Sequence, residues 1–258
     1  MSRVTDIYRE IAPPPELSSQ VEAFWIREGG EKTDAHRVLP DGCIDLLFVD
    51  RQSGGQRLHS LFVVGPMTRF IDVKRKPGDS YVGVRFRPGA APAVLGIAAS
   101  EIVDASPTLE NLWGSRARSL LDRLAEQGSA QERVDILRGA LARPGARGPE
   151  LDPRVAAAVR LLRHSSSEIR IESLSAAVGV SPRQLRRLFH ESVGLSPKRL
   201  HRILRLRSVL DTARESSRRE SRDWSAISLD AGFYDQAYFV NDFRSWTGLS
   251  PTRYLAAR

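Results

Sequence analysis

Cysteine is almost absent from this sequence, because Cys43 is the only one among 258 residues. One thiol excludes an intrachain disulfide and a zinc cluster built on several thiolates, so disulfide-stapled folds and zinc fingers are ruled out. Long apolar runs are missing too. None approaches the roughly 20 residues that a membrane-spanning helix needs, and the first ten residues lack the apolar segment of a secretory signal. We therefore expect a cytosolic protein without a membrane partner.

The residues of metal and hydrolytic chemistry are also scarce. Five histidines occur, and the two in the first half, His36 and His59, are isolated, so the clustered His and carboxylate ligands of a metal enzyme are missing. No Gly-x-Ser-x-Gly turn is present to hold a hydrolytic serine. Cys43 stands in an apolar stretch, which is typical of packing. The sequence therefore predicts no enzyme activity, no cofactor and no metal.

What the sequence does contain is a positive charge confined to one half. The net charge is +8, yet residues 1–150 hold 20 Lys and Arg against 20 Asp and Glu, whereas residues 151–258 hold 19 against 11. The chain is long enough for two domains, and 41% hydrophobic residues can supply their cores. A basic domain beside a neutral one is typical of a polyanion-binding module joined to a domain with another task.

The neutral half begins with short alternating or apolar runs broken by Gly and Pro turns. These runs predict strands at Val21–Ile26, Arg37–Leu39, Cys43–Val49, Ser60–Val64 and Tyr81–Phe86. The spacing of the turns favours an antiparallel sheet or a small barrel. After residue 89 the period changes to that of helices, at about 90–97, 115–126 and 130–141. The last two form a predicted hairpin that could pack on the sheet or on a second subunit.

A Pro- and Gly-rich stretch around residues 142–149 divides the chain. We place a β-rich sensor or dimerisation domain at 1–145, a linker at 146–151 and an all-helical domain at 152–258, so the fold class is α+β with two domains. Four helices of the second domain are predicted to start in one way, with a capping oxygen before a proline. These starts are Asp152-Pro153, Ser181-Pro182, Ser196-Pro197 and Ser250-Pro251.

The segment 171–189 has the pattern of a helix-turn-helix unit. Leu174 marks the inner face of a first short helix, Gly179 allows the turn, and Leu185 and Phe189 mark the inner face of a second helix. Arginine and glutamine, which can grip base edges with two hydrogen bonds, fill the outer face of that second helix. This outer face consists of Arg183, Gln184, Arg186, Arg187 and His190.

A second copy of the unit follows at an offset of 53 to 54 residues. Phe239, Phe243 and Gly248 correspond to Leu185, Phe189 and Gly194. The outer face of its second helix is nearly uncharged and holds Gln236, Ala237, Tyr238 and Asn241, with Arg244 close behind. Residues 197–214 read as one long helix between the copies, which could hold the two reading helices about one duplex turn apart.

These motifs resemble the DNA-binding domain of AraC/XylS-type regulators over about residues 155–254. The resemblance lies in Gly179-Val180-Ser181-Pro182-Arg183-Gln184-Leu185-Arg186-Arg187-Leu188-Phe189, in Gly232-Phe233-Tyr234-Asp235-Gln236-Ala237-Tyr238-Phe239, and in Gly-Leu-Ser-Pro after each copy. It implies seven helices that place two recognition helices, near 182–190 and 235–244, in successive major grooves of double-stranded DNA. A regulator of this kind would associate with the nucleoid.

Residue roles follow from the resemblance position by position. It implies base reading by Arg183, Gln184, Arg186 and Arg187 in the first helix and by Gln236, Ala237, Tyr238 and Asn241 in the second. Phosphate contacts are expected at Lys198, Arg199, Arg202, Arg244 and Arg253. RNA polymerase and a second copy of the chain, bound through the N-terminal domain, are further partners that the resemblance allows.

The first half also resembles a recurring N-terminal module of these regulators, through Val38-Leu39-Pro40-Asp41-Gly42, Val64-Gly65-Pro66 and Gly83-Val84-Arg85-Phe86-Arg87. Such modules are often cupin-like barrels that sense a small molecule or dimerise. A polar effector pocket could be lined by Trp25, Asp41, Asp45, Phe48, Arg85 and Arg87. The alternative is a constitutive regulator whose first half is a protein-interaction module, with a filled core and an exposed apolar face on residues 115–141.

Overall fold

The computed structural model describes residues 7–30, 33–142, 151–165, 167–216 and 235–256, together with residues 224, 228, 229, 232 and 233. Its N-terminal part is an antiparallel sheet covered by helices, and its C-terminal part is helical. The predicted two-part α+β fold class is therefore confirmed. The proposed linker falls largely outside the described residues, so the domain limits at 145 and 152 stay a prediction.

The described residues of the N-terminal part contain seven strands. Five of them pair in the order β1-β2-β7-β4-β5, and β3 pairs with β6 as a separate two-stranded ribbon, with every pairing antiparallel. The strands are β1 Ile7–Ile11, β2 Val21–Glu28, β3 Asp34–Val38, β4 Ile44–Ser53, β5 Gln56–Val64, β6 Ile71–Arg75 and β7 Ser80–Phe86. Four of the five predicted strands are confirmed, the fifth, Arg37–Leu39, overlaps β3 only at residues 37 and 38, and β1 and β6 were not predicted.

The two faces of the five-stranded sheet differ in chemistry because side chains alternate along each strand. One face is apolar and is buried beneath helices, with Phe24, Leu46, Phe48 and Val84 fully enclosed. The other face carries charged and aromatic side chains from the same strands, including the opposed pair Asp45 and Arg85. The ribbon of β3 and β6 lies over this second face.

Between the last strand and residue 142, the structure describes four helices: α1 Ala91–Leu95, α2 Leu109–Trp113, α3 Ser115–Ala125 and α4 Ala130–Ala142. Single 3-10 turns occur at Pro15–Leu17 and Ala99–Ile102. Leu120, Leu124, Val134 and Leu137 of α3 and α4 are buried in the same core as the apolar face of the sheet. Of the two placements that the sequence left open for this hairpin, packing on the sheet is the one observed.

Helices α5 Pro153–His164, α6 Ile171–Ala177, α7 Pro182–Val193, α8 Pro197–Ser216, α9 Gln236–Thr247 and α10 Pro251–Ala256 form the C-terminal part. All four predicted Ser-Pro and Asp-Pro starts are confirmed, because α5, α7, α8 and α10 each begin at the proline. Asp152 accepts a hydrogen bond from the Arg154 N–H at 2.8 Å, and Ser196 Oγ accepts one from the Arg199 N–H at 3.2 Å. Each cap satisfies an N–H that has no partner within its helix.

The two parts of the molecule touch directly. Leu39 packs against the C-terminal core, and a Cβ placed on Gly42 would lie 2.4 Å from Leu200 Cδ1, so the loop after β3 approaches α8 closely. Arg163 Nη2 lies 3.2 Å from Glu22 Oε2 across the same boundary. None of the described helices is long and apolar enough to cross a membrane.

Candidate functional site

The first helix-turn-helix unit consists of α6 and α7. Gly179 turns the chain between them with φ +71°, and Ser181 Oγ caps α7 by accepting a hydrogen bond from the Gln184 N–H at 3.2 Å. Leu185, Leu188 and Phe189 bury the inner face of α7. The outward residues are as the sequence predicts: Arg183, Arg186, Arg187 and His190 are exposed, and Gln184 is half-buried. The helix thus presents a strongly basic face.

The second unit ends in α9, whose inner face is aromatic. Phe239 and Phe243 are buried and meet Trp224, Phe233 and Tyr254 edge to face or tilted, with ring centroids 5.1–6.2 Å apart. Ala237, Tyr238, Asn241 and Arg244 are exposed. The Gln236 side chain and most of the first helix of this unit, around residues 225–231, lie outside the described residues. Base reading by α7 and α9 stays a prediction.

Both recognition helices contribute to one surface groove. Its volume is about 490 Å³, and it is lined by Arg186 from α7, Tyr238 from α9 and Lys198 and Arg202 from α8, among others. Helix α8 has 20 residues and is therefore about 30 Å long at 1.5 Å per residue. The outward faces of both units thus open to a shared side of the molecule.

The five predicted phosphate contacts separate into two groups. Lys198, Arg244 and Arg253 are exposed, although Lys198 Nζ lies 2.9 Å from Glu168 Oε1. Arg199 is exposed as well, and its Nη2 donates to the Thr68 carbonyl at 3.4 Å. Arg202 is half-buried, ion-paired with Asp242 on α9 and 5.4 Å from the Trp246 ring. Phosphate contact by these five residues stays a prediction, and the ion pair of Arg202 with Asp242 is a contact that the spacing of arginines along α8 could not indicate.

A second candidate site lies between the polar face of the sheet, the β3-β6 ribbon and α8. This cavity has a volume of about 630 Å³ and walls from both parts of the chain. The sheet supplies Tyr8, Glu10, Trp25, Arg27, Asp45, Leu47, Tyr81 and Arg85; the ribbon side supplies His36, Arg37, Val38, Leu39, Asp41, Val73 and Arg75; and α8 supplies Arg207, Leu210 and Asp211. Nine of these residues are charged and eight are apolar or aromatic, so the cavity suits a small molecule with both charged and apolar parts.

Four of the six residues predicted for an effector pocket line this cavity, namely Trp25, Asp41, Asp45 and Arg85. Phe48 does not, because it lies three residues from Asp45 on β4 and therefore points to the opposite, apolar face. Arg87 follows the end of β7, where its Nε donates to the Ser18 carbonyl at 2.9 Å. These two placements correct the predicted pocket.

Apart from Asp41, the cavity residues on the ribbon and on α8 were not predicted from the sequence. The charged pattern of residues 71–75 hid β6, and Arg207 belongs to the other half of the chain. Arg207 Nη1 lies 3.6 Å from Asp41 Oδ2, and Arg27 Nη1 lies 3.3 Å from His36 Nε2. Ile71, Val73 and Arg75 alternate with Asp72 and Lys74, and this period of two could have indicated strand β6 of the ribbon.

Three polar atoms on the cavity floor have no hydrogen-bond partner among the described residues. They are Trp25 Nε1, Asp45 Oδ1 and Arg85 Nε. Trp25 lies across from Gly83, where a Cβ would come within 2.1 Å of the indole ring, so only glycine lets the indole lie flat on the sheet. Arg85 Nε lies 3.7 Å from Asp45 Oδ1 and 3.5 Å from Asp41 Oδ2, too far for hydrogen bonds, so a polar group of a ligand could bind to these ion-paired atoms while its apolar part lies on the indole.

Burial raises the pKa of Asp45 to about 7, with Arg85 opposing the rise and Asp41, Glu22 and Glu10 adding to it. The folded protein therefore keeps a proton that the unfolded chain releases near pH 4. By linkage, this proton makes the free energy of unfolding fall as the pH rises from about 4 to 7.

We expect the free energy of unfolding of Asp45→Asn to show no such fall between about pH 4 and 7, because the asparagine side chain does not titrate. The measurement is the difference in melting temperature between pH 5 and pH 8, compared with Asp135→Asn, which changes an exposed carboxylate on α4. An unchanged pH difference in Asp45→Asn would show that Asp45 titrates in its usual range.

Cys43 does not line the cavity. The Cys43 thiol is buried, and burial together with Asp41, Glu22 and Asp45 raises its pKa well above the usual value. A thiol held in the neutral form is a poor nucleophile. Among the described residues, no group of three His, Cys, Asp or Glu side chains is placed to hold a metal ion.

Two sequence families match parts of the chain. A family described as a helix-turn-helix domain matches residues 174–257, which contain α7, α8, α9 and α10. A family described as a domain of unknown function matches residues 9–107, which contain nearly the whole sheet. No curated protein matches the chain.

Several solved structures are similar to this chain. The C-terminal domain of AraT, a response regulator from Geobacillus stearothermophilus, is 27% identical over 42% of this chain and 88% of its own, with a TM-score of 0.37. A probable AraC family transcriptional regulator from Rhodopseudomonas palustris is 25% identical over 41% and 97%, with a TM-score of 0.37. ToxT from Vibrio cholerae is 10% identical over 90% and 97%, with a TM-score of 0.47.

Proposed function

We propose that this protein, a DNA-binding transcription regulator with an AraC-type helix-turn-helix domain, reads two successive major grooves and is controlled by a small molecule. The helices that would enter the grooves are α7 and α9, and the small molecule would bind in the cavity between the sheet, the ribbon and α8. The observation that carries the proposal is that this cavity has walls from both halves of the chain.

Reading of two grooves is supported by the exposed faces of α7 and α9 and by the groove that they share. Arg183, Arg186 and Arg187 can form paired hydrogen bonds with guanine or contact phosphates. Tyr238 and Asn241 offer weaker and more sequence-tolerant contacts, and Tyr238 is 51% exposed. We therefore expect the first unit to supply most of the affinity and the second to set the register on DNA.

Control by a small molecule is supported by the placement of α8. This helix connects the two DNA-reading units, and its residues Arg207, Leu210 and Asp211 form one wall of the cavity. A ligand that contacts both the sheet and α8 would bind differently to different arrangements of the two domains, which is the requirement for a conformational response. The alternative interaction module requires an exposed apolar face on α3 and α4, yet no large hydrophobic side chain of either helix is exposed.

A cavity-filling variant, Val73→Trp, tests this control. Val73 lines the cavity from β6, so an indole at this position would occupy the space of a ligand. A molecule from a metabolite collection, used at about 100 times its dissociation constant, should stabilise the full-length protein by about 2.7 kcal/mol, or roughly 5–10 °C in melting temperature. It should also change the affinity for DNA.

Val73→Trp should abolish both effects and leave DNA binding without ligand intact. Lys74→Trp is the matched control, because Lys74 is the exposed neighbour on the same strand and does not line the cavity. A molecule that stabilises Val73→Trp as strongly as the parent protein binds elsewhere, and control through this cavity would then be wrong. Mapping of binding sites across the genome identifies the regulated genes and so narrows the choice of effector.

A further inference from the structure

We infer that Arg37, a residue of the N-terminal sheet domain, positions the second recognition helix α9 for DNA reading, an inference that rests on the proposed two-groove reading. Its guanidinium bridges the two parts of the protein. Nη1 donates to the carbonyl of Thr247, the last residue of α9, at 2.8 Å, while Nε and Nη2 donate to the two Asp72 carboxylate oxygens at 2.7 Å each. Asp72 lies on β6, beside β3 in the ribbon.

The contact is favourable because of where it falls on the helix. The last carbonyls of an α-helix have no partner within the helix and carry the negative end of its dipole. Arg37 supplies both a donor and a positive charge at that end. The paired hydrogen bonds that Arg37 donates to Asp72 fix the plane of the guanidinium, so the third donor keeps one direction.

The surroundings of this contact are shaped to admit it. The Phe70 ring lies beneath the Arg37 guanidinium at 4.1 Å. Gly248, which ends α9 with φ +73°, faces both groups, and a Cβ there would lie 2.5 Å from Arg37 Nη1 and 2.8 Å from Phe70 Cζ. A side chain at residue 248 would therefore exclude the clamp formed by Arg37, Asp72 and Phe70.

The first unit meets the N-terminal domain at the equivalent position but by different chemistry. Gly194, 54 residues before Gly248, ends α7, and a Cβ there would lie 2.8 Å from the Ala99 carbonyl oxygen and 2.8 Å from Pro66 Cγ. Among the described residues, no side-chain hydrogen bond joins this end of α7 to the N-terminal domain. The end of α7 is thus held by close backbone packing, whereas the end of α9 is held by the clamp of Arg37, Asp72 and Phe70.

The clamp is also close to the cavity. Its strand, β3, lines the cavity with His36, Arg37 and Val38, and the guanidinium of Arg37 also reaches the end of α9. The ribbon has only five residue pairs, and a two-stranded ribbon has little stability of its own. A ligand that displaces the ribbon would therefore act on α9 before it acts on α7.

The test is selection of preferred sequences from a random duplex library by full-length parent protein and by Arg37→Ala. We expect the parent to select a two-part site. Arg37→Ala should keep the preference at the part bound by α7, lose it at the part bound by α9 and bind the parent's site about tenfold more weakly. Arg37→Lys should restore part of the second preference, because it keeps the charge at the end of the helix.

Arg118→Ala is the matched control. It removes the same charge and breaks an exposed ion pair of the N-terminal domain, between Arg118 Nη1 and Glu110 Oε1 at 3.0 Å, and should leave both preferences unchanged. Equal loss at both parts in Arg37→Ala, or no loss at either, would overturn the positioning role. If the parent selects no two-part site, two-groove reading itself is wrong and the role of Arg37 falls with it.

Discussion

Replacing Arg183 and Arg186 together with alanine is expected to lower the affinity for the specific DNA site by at least about 30-fold. Both side chains are exposed on the outward face of α7, and neither has an ion-pair partner among the described residues. Each base-reading arginine contributes about 1–3 kcal/mol, so the pair contributes roughly 2–6 kcal/mol. The effect of Arg187→Ala should be smaller, because Arg187 Nη1 lies 3.2 Å from Glu191 Oε1.

The measurement compares dissociation constants for the selected site and for a random duplex. Both are measured at one salt concentration, because phosphate contacts make the affinity depend on salt. Random DNA should be bound only a few-fold more weakly by the double variant. The control is Arg118→Ala combined with Arg160→Ala, which removes two exposed arginines elsewhere. If both DNAs lose affinity to the same extent, these arginines contact phosphates rather than bases.

Removal of the Asp50 carboxylate is expected to lower the free energy of unfolding of the N-terminal domain by about 3–5 kcal/mol. Asp50 on β4 is 1% exposed, and Arg133 on α4 is 3% exposed with Nη2 3.0 Å from Asp50 Oδ2. Arg133 also donates to the Leu124 and Gln127 carbonyls. Asp50→Ala leaves this guanidinium buried without its counter-charge. The resulting loss of stability is larger than the loss from removing one exposed ion pair.

Urea unfolding, with hydrogen-exchange protection of the β4 amides as the local readout, measures this effect. Arg57→Ala removes the other arginine that contacts Asp50, at 2.6 Å, but the Arg57 side chain is 55% exposed, so its loss should cost less than about 1 kcal/mol. Asp50→Leu combined with Arg133→Leu should recover most of the loss. If Asp50→Ala lowers the free energy of unfolding no more than Arg57→Ala does, the buried pair of Asp50 and Arg133 contributes no more stability than an exposed ion pair.

The C-terminal elements could be predicted well because their signals are local. A capping oxygen, a proline and a glycine act on backbone groups within about four residues, so they mark the ends of a helix whatever surrounds it. This is why α5, α7, α8 and α10 begin where the sequence places them. Strand β1 escaped prediction because four of its five residues are exposed and it lacks the apolar alternation of a half-buried strand.

The candidate sites were only partly predictable, because contacts between distant segments decide them. Asp45 and Arg85 meet across neighbouring strands, and the sequence could suggest that both face one pocket. Phe48 was assigned to that pocket, but it belongs to the opposite face, where it stacks on His59 with ring centroids 5.7 Å apart. The phosphate role expected for Arg202 stays a prediction, whereas its ion pair with Asp242, 40 residues later, is a contact that only the tertiary structure shows.

By itself the sequence determined the two-part fold class, the repeated helix-turn-helix pattern and the outward arginines of α7, since each follows from spacing within one helix or one turn. Only the tertiary structure decided that the cavity has a wall from α8 and that Arg37 reaches the end of α9, 210 residues away. Residues that are close in the sequence determine the periodicity and the caps of each helix. The pairing of surfaces depends on which distant residues the packed cores bring together.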